Sequence, residues 1–260
     1  MRDPGGSEQV QAHVLRLHLL GGFRLLDHDS PVTVPQSAAR LLAFLAFQPA
    51  AAPRAVVAGQ LYGHTDEERA RASLRAVLWR LRRACPGVVR SDGAAIELDD
   101  VWVDVRQVQR ELTEDLAAHR VIEPALVEQL RWDLLPGWYD DWLLFERERL
   151  RHHCLFGLEA VARQRAVEGD FAAATDAVLS ALRLEPLRER GHRLLIEIHL
   201  AAGDRIEAAR ALAAYGRILA GELGVAPSAE FTREVTARIQ DDRSDTSLRL
   251  LTVQAAHPGA

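Results

Sequence analysis

Between Asp66 and Cys85 the apolar residues Ala70, Leu74, Val77, Leu78, Leu81 and Cys85 form a single stripe at helical spacing. That stripe predicts a helix that buries one side. It starts near Asp66, where acidic residues suit the positive end of the helix dipole. Turned roughly opposite lie Arg69, Ala72, Ala76, Arg80 and Arg83, a strip of arginines interrupted by two alanines. From residue 69 to residue 83 the chain carries arginine at 69, 71, 75, 80, 82 and 83 and no acid. The plain alternative for such a block is a solvated helix face. The helix runs out at Cys85-Pro86-Gly87. Residues 88–98 then alternate around Asp92-Gly93, the dipeptide favoured in a type I′ hairpin turn.

What precedes this helix narrows the fold. Residues 14–34 alternate apolar and polar and are broken at Gly21-Gly22 and from Asp27 to Pro31, which predicts short strands of a meander. Leu41, Leu42, Phe44, Leu45 and Phe47 predict an apolar helix ending at Gln48-Pro49, and residues 53–62 a second, shorter one. Strands, two helices, a basic helix and a hairpin are the order of a winged helix. A small α+β domain of no particular function is the competing reading.

From Val108 onward the pattern is helical, punctuated at Pro124, Leu135-Pro136-Gly137, Glu185-Pro186 and Pro227. Gly169-Asp170-Phe171 recurs as Gly203-Asp204-Arg205, with Ala174 matched by Ala208 and Val178 by Leu212. That offset is the roughly 34-residue tetratricopeptide period, whose stacked helix pairs present a surface to other proteins. In the second copy Tyr215 replaces a small crossing residue and Ala220 a proline, so its helix runs on to Gly221 or Gly224. The expected organisation is a loose N-terminus (1–12), an α+β winged-helix DNA-binding domain (13–108), an all-α tetratricopeptide-like domain (109–240) and a disordered tail (241–260). Charge divides the same way: 14 arginines against 12 acids up to residue 110, and 18 against 25 beyond it. The two parts therefore face different partners.

Catalysis finds little support. All 32 basic side chains are arginine, which removes the lysine of a P-loop, of a kinase and of a Schiff base. His152, His153 and Cys154 are consecutive and point about 100° apart on a helix, so they do not chelate one ion together. His28-Asp29-Ser30 holds the letters of a triad, but neighbours in a turn do not line up nucleophile, base and orienter. No enzyme, cofactor or metal is expected. Two cysteines outside any CxxC, no signal-peptide pattern and no span-length apolar run imply a cytoplasmic protein.

The runs LHLLGGFRL (17–25), TDEERARASLRAVLWRLRRACPG (65–87) and LLPGWYDDWLLFERERLR (134–151), with residues 169–231 from GDFAAATD to GELGVAPSAEF, resemble a Streptomyces antibiotic regulatory protein. The resemblance covers about residues 14–240. It implies an OmpR-type winged helix followed by a helical bacterial transcriptional activation domain. It also implies an activator that occupies direct repeats in the promoters of a biosynthetic gene cluster, two protomers side by side, and recruits RNA polymerase holoenzyme. One departure is in the wing, where Ala95-Ile96-Glu97-Leu98 puts an acid at an expected phosphate contact.

On this reading the third helix lies in the major groove of double-stranded DNA. Arg69, Arg80 and Arg83 face guanine edges or phosphates, and Ala72 and Ala76 permit close approach. Arg71, Arg75 and Arg82 flank that strip and touch phosphates, and Arg90 adds a contact from the wing. Trp79 is placed between core and strip, packed under the loop before the helix in preference to stacking on a sugar. That loop, Gly63, His64, Thr65, Asp66 and Glu67, lies where OmpR-type domains touch polymerase. The alternative is a tetratricopeptide-type adaptor whose front domain binds protein.

Overall fold

The computed structural model describes residues 15–118, 120 and 122–240. The expected loose N-terminus and disordered tail lie outside those residues. The chain packs as two compact units: one runs through Val108 and adds Trp132–Arg147, and the other comprises Gln109–Arg131 and the chain from Glu148. A single boundary at residue 108 thus misses a segment that returns to the first unit.

The first unit opens with β1 (Leu15–His18), β2 (Arg24–Asp27) and β3 (Ser30–Pro31), the expected meander, with Gly21 at φ 72° in the first turn. There follow α1 (Gln36–Ala46), β4 (Ala52–Pro53), α2 (Arg54–Tyr62), α3 (Glu67–Ala84), β5 (Val89–Ser91), β6 (Ala95–Leu98) and β7 (Val101–Val103). The sheets have orders β3-β2-β1-β7 and β4-β6-β5. β7 lies parallel to β1, with Leu17 opposite Val103, a pairing with no local signal. This is a winged helix. The hairpin is not the expected two-residue type I′ turn. Ser91 pairs with Ile96, Asp92 has no positive φ, and its carboxylate accepts from the backbone N–H of Ala94 (3.0 Å) and Ala95 (2.8 Å). The aspartate caps a longer loop, in which Gly93 takes φ 98°.

Two polar side chains tie this unit together, one buried and one reaching in from an exposed position. Asp104, 3% exposed, begins α4 (Asp104–Ala117) and accepts hydrogen bonds from Leu19 N–H at 2.9 Å, Leu20 N–H at 3.0 Å and Val105 N–H at 2.6 Å. Arg106 donates to the carbonyls of Leu45, Ala46 and Gln48, the open C-terminal end of α1. The returning segment pairs Leu134 with Leu20, and Leu135 N–H donates to Leu19 O at 2.9 Å.

The second unit is helical: α5 (Pro124–Gln129), most of α6 (Asp141–Val167), α7 (Phe171–Leu184), α8 (Glu189–Ala201), α9 (Arg205–Leu223) and α10 (Ala229–Gln240). Each repeat copy starts alike. Gly169 and Gly203 take positive φ, and Asp170 and Asp204 cap α7 and α9 by accepting from Ala173 N–H (3.1 Å) and Glu207 N–H (3.0 Å). α9 runs to Leu223 and ends on left-handed Gly224. Phe231, fully buried, meets Tyr215 edge-on, and Tyr215 stacks on His192 at 4.2 Å.

Burial holds the rings of His18, His153 and His192 below the usual histidine pKa of about 6.5. A ring whose folded pKa is depressed stays neutral while the unfolded chain takes up its proton. Its stabilisation is therefore complete above about pH 6.5 and is lost as pH falls below it towards the folded pKa. The buried carboxyls of Asp104 and Glu197, pushed up by burial, act in the opposite sense. The expected result is thus a difference between variants: the fall in Tm from pH 7.5 to 5.5 is smaller in His192→Gln than in the parent chain. Equal falls in thermal melts would contradict a neutral buried His192.

Candidate nucleic-acid interface

α3 carries the strongest positive face. Asp66 caps it, accepting from Arg69 N–H at 2.9 Å, and Glu67 and Glu68 occupy its first turn. Ala70, Leu74, Val77, Leu78, Leu81 and Cys85 are all buried, while Arg69, Arg71, Ala72, Arg75, Ala76, Trp79, Arg80, Arg82 and Arg83 are all exposed. The structure thus brings the expected residues of this helix onto one open surface.

The arginines differ in what holds them. Arg69 pairs with Asp66 at 3.3 Å and Arg71 with Glu67. No acid lies within ion-pair distance of Arg75, Arg80, Arg82 or Arg83 among the described residues. Arg80 Nε donates to Ala76 O at 3.3 Å, and the Arg83 guanidinium carbon lies 4.9 Å from the centre of the Trp79 ring. Unpaired arginines on a helix lined by small residues can be neutralised by a polyanion without first breaking internal pairs. The wing is weaker: Arg90 donates to Glu97 at 2.9 Å and lies 3.5 Å from Asp99, so cross-strand acids answer its charge.

Trp79 departs from expectation. It is not packed under the preceding loop but 60% exposed. A tryptophan on an amphipathic helix is ordinarily covered, and among the described residues no neighbouring segment supplies the cover.

The loop between α2 and α3 is Gly63, His64, Thr65 and Asp66, with Glu67 already helical, and all five residues are exposed. Thr65 pins it by donating from N and Oγ1 to Tyr62 O at 3.0 and 2.9 Å. Gly63 and His64 line an open cleft of about 600 Å³ with Arg40, Tyr139, Asp140 and Trp142, all within the first unit. The sequence offered no sign that the WYDDW run would border this loop.

The sequence's other candidates are not assembled into sites. His28 turns to Asp27 at 2.9 Å, and Asp29 pairs with Arg16 at 3.3 Å. His152 pairs with Glu148 at 3.0 Å, and burial pushes the Cys154 thiol up to about 12, far from a usable thiolate. Among the described residues no three His, Cys, Asp or Glu side chains gather to hold a metal, and no helix is long and apolar enough to cross a membrane.

A winged helix joined to capped, repeating helix pairs, with unpaired arginines on the helix before the wing, defines a class: a regulator of transcription. Residues 103–240 match the bacterial transcriptional activator domain, and the chain belongs to that family. It is a transcriptional activator of the Streptomyces antibiotic regulatory protein type. The fold is similar to that of Mycobacterium tuberculosis EmbR, solved in complex with a low-affinity phosphopeptide. The TM-score is 0.75 at 19% identity, covering 94% of this chain and 69% of that one. No curated protein matches the chain.

Proposed function

We propose that the chain is a sequence-specific DNA-binding activator that lays α3 in the major groove at promoter direct repeats. The observation that carries this is the exposed, acid-free set Arg75, Arg80, Arg82 and Arg83, with Ala72 and Ala76 between the basic side chains. Arg80 and Arg83 read base edges. Arg75 and Arg82 hold phosphates, and Arg69, Arg71 and Arg90, already paired with acids, contribute less. The recognition module comprises the first unit, Trp132–Arg147 included. The loop from Gly63 to Glu67 meets RNA polymerase holoenzyme, and the promoters are those of a biosynthetic gene cluster. The protein works in the cytoplasm, without cofactor and without catalysing a reaction. Because the front half carries only two more arginines than acids, one protomer binds weakly, and two sit side by side on adjacent repeats.

The test is gel mobility and fluorescence anisotropy on promoter duplexes with competitor DNA across a salt series. Arg80→Ala and Arg83→Ala should each weaken specific binding by about 1–3 kcal/mol with the fold intact. Arg75→Ala should weaken specific and non-specific binding together and reduce the salt slope by about 1. Unchanged affinity in both of the first two variants would remove α3 from the groove. A chain that binds no duplex at all would favour a protein-binding adaptor.

A further inference from the structure

We propose that Trp79 and Arg83 form one reading unit on the exposed face of α3, towards its C-terminal end. The indole holds the guanidinium for O6 and N7 of a guanine and itself lies on the 5-methyl group of the neighbouring thymine. This deepens the DNA-binding reading above and rests on it.

Position comes first. At about 100° per residue, Trp79 and Arg83 both fall within about 30° of the direction opposite the buried stripe formed by Ala70, Leu74, Val77, Leu78 and Leu81. They are the two largest side chains nearest the midline of the exposed face, so a partner meeting that face squarely meets them first. Ala72 and Ala76, small and exposed on the same face, leave room for a groove floor to come close.

Exposure is the second observation. An indole left 60% open forgoes part of the hydrophobic stabilisation that its burial would supply. Its neighbours here are the acid-free arginines, so whatever covers it has to be negatively charged and offer an apolar spot. The major groove does both, through its phosphate walls and the thymine methyl group.

The third observation is the 4.9 Å contact between the Arg83 guanidinium carbon and the centre of the Trp79 ring, at (i, i+4) spacing. Cation–π attraction limits the rotamers of a side chain that otherwise has many, so less freedom is lost on binding. A guanidinium held at a ring keeps its in-plane N–H donors for a bidentate acceptor, and guanine offers that pair. A phosphate offers paired oxygens too, but it gives the adjoining indole no apolar partner, whereas the groove floor sets a thymine methyl group beside the guanine edge.

The test is selection from a duplex library with a randomised core, using the full-length chain, followed by affinity measurement on the selected duplex and a scrambled one. The parent chain should enrich a guanine with an adjacent thymine. Trp79→Ala should lower affinity for the selected duplex about tenfold while shifting the scrambled duplex less than about twofold, and Trp79→Phe should recover most of the loss. Arg83→Lys, which keeps the charge, should lose about as much as Trp79→Ala. Replacing the thymine by deoxyuridine, which removes the methyl group, should weaken the parent chain about threefold and leave Trp79→Ala unchanged. Circular dichroism should be the same for all variants. Equal losses on selected and scrambled duplexes, or an unaltered selected site in Trp79→Ala, would overturn the proposal while leaving DNA binding intact. A parent chain that enriches no sequence would overturn both readings.

Discussion

A fragment ending at residue 110 should fail to fold cooperatively, whereas one ending at residue 147 should melt as a folded domain. The shorter piece contains every strand of the winged helix and the whole of α3, yet it lacks what closes the unit. Leu134 and Leu135 are 3% and 0% exposed. Gly21 N–H donates to Asp133 O at 2.8 Å, Leu135 N–H donates to Leu19 O at 2.9 Å, and Trp142 sets its ring against Phe44 and Phe47. Each buried leucine contributes about 1.5–3 kcal/mol and each hydrogen bond about 1 kcal/mol. Together they amount to several kcal/mol out of a domain total of about 5–15. Thermal and urea melts of the two fragments decide it, and equal midpoints would show that Trp132–Arg147 is not needed.

Replacing Asp104 should be the most damaging single substitution in the first unit. Its carboxylate is buried and takes the N–H groups of Leu19, Leu20 and Val105, of which the first two sit on residues 0% and 2% exposed. In Asp104→Ala those donors face an apolar void. Leaving buried donors unpaired costs about 1–3 kcal/mol each, so a loss of about 3–5 kcal/mol is expected. Asp104→Asn retains shape and one acceptor oxygen but turns an amide donor towards an N–H, and should lose about 1–3 kcal/mol. Urea denaturation of the three chains checks the ranking. If the alanine variant were as stable as the asparagine one, the hydrogen bonds would have little to do with the unit's stability.

Much of this architecture could be read from residues because the signals are local. The stripe from Ala70 to Cys85 lies wholly within α3, and Asp170 and Asp204 cap helices beginning one residue later. What escaped depends on contacts far along the chain. Leu134 reaches Leu20, and Val101–Val103 finds β1, with nothing nearby in sequence to announce either pairing. The hairpin was legible as a hairpin, but its loop type follows from Ser91 pairing with Ile96, a matter of register. Of the expected interface, α3 was legible in composition and face. The pairing of Arg69, Arg71 and Arg90 with acids, and the open position of Trp79, required side chains in space.

The return of Trp132–Arg147 to the first unit also bears on how the protein is made. On the ribosome most of the winged helix emerges before the helical unit, but its last component is about 39 residues behind Val108, about 2–8 s of synthesis at ordinary rates. Throughout that interval the Leu19 carbonyl and the Gly21 N–H lack their partners from the returning segment, and Phe44 and Phe47 lack the Trp142 ring. The nascent chain is most open to chaperones or to self-association while its newest residues belong to the other unit. Pausing in the stretch that encodes residues 109–147 would lengthen that exposure and should lower the yield of soluble protein.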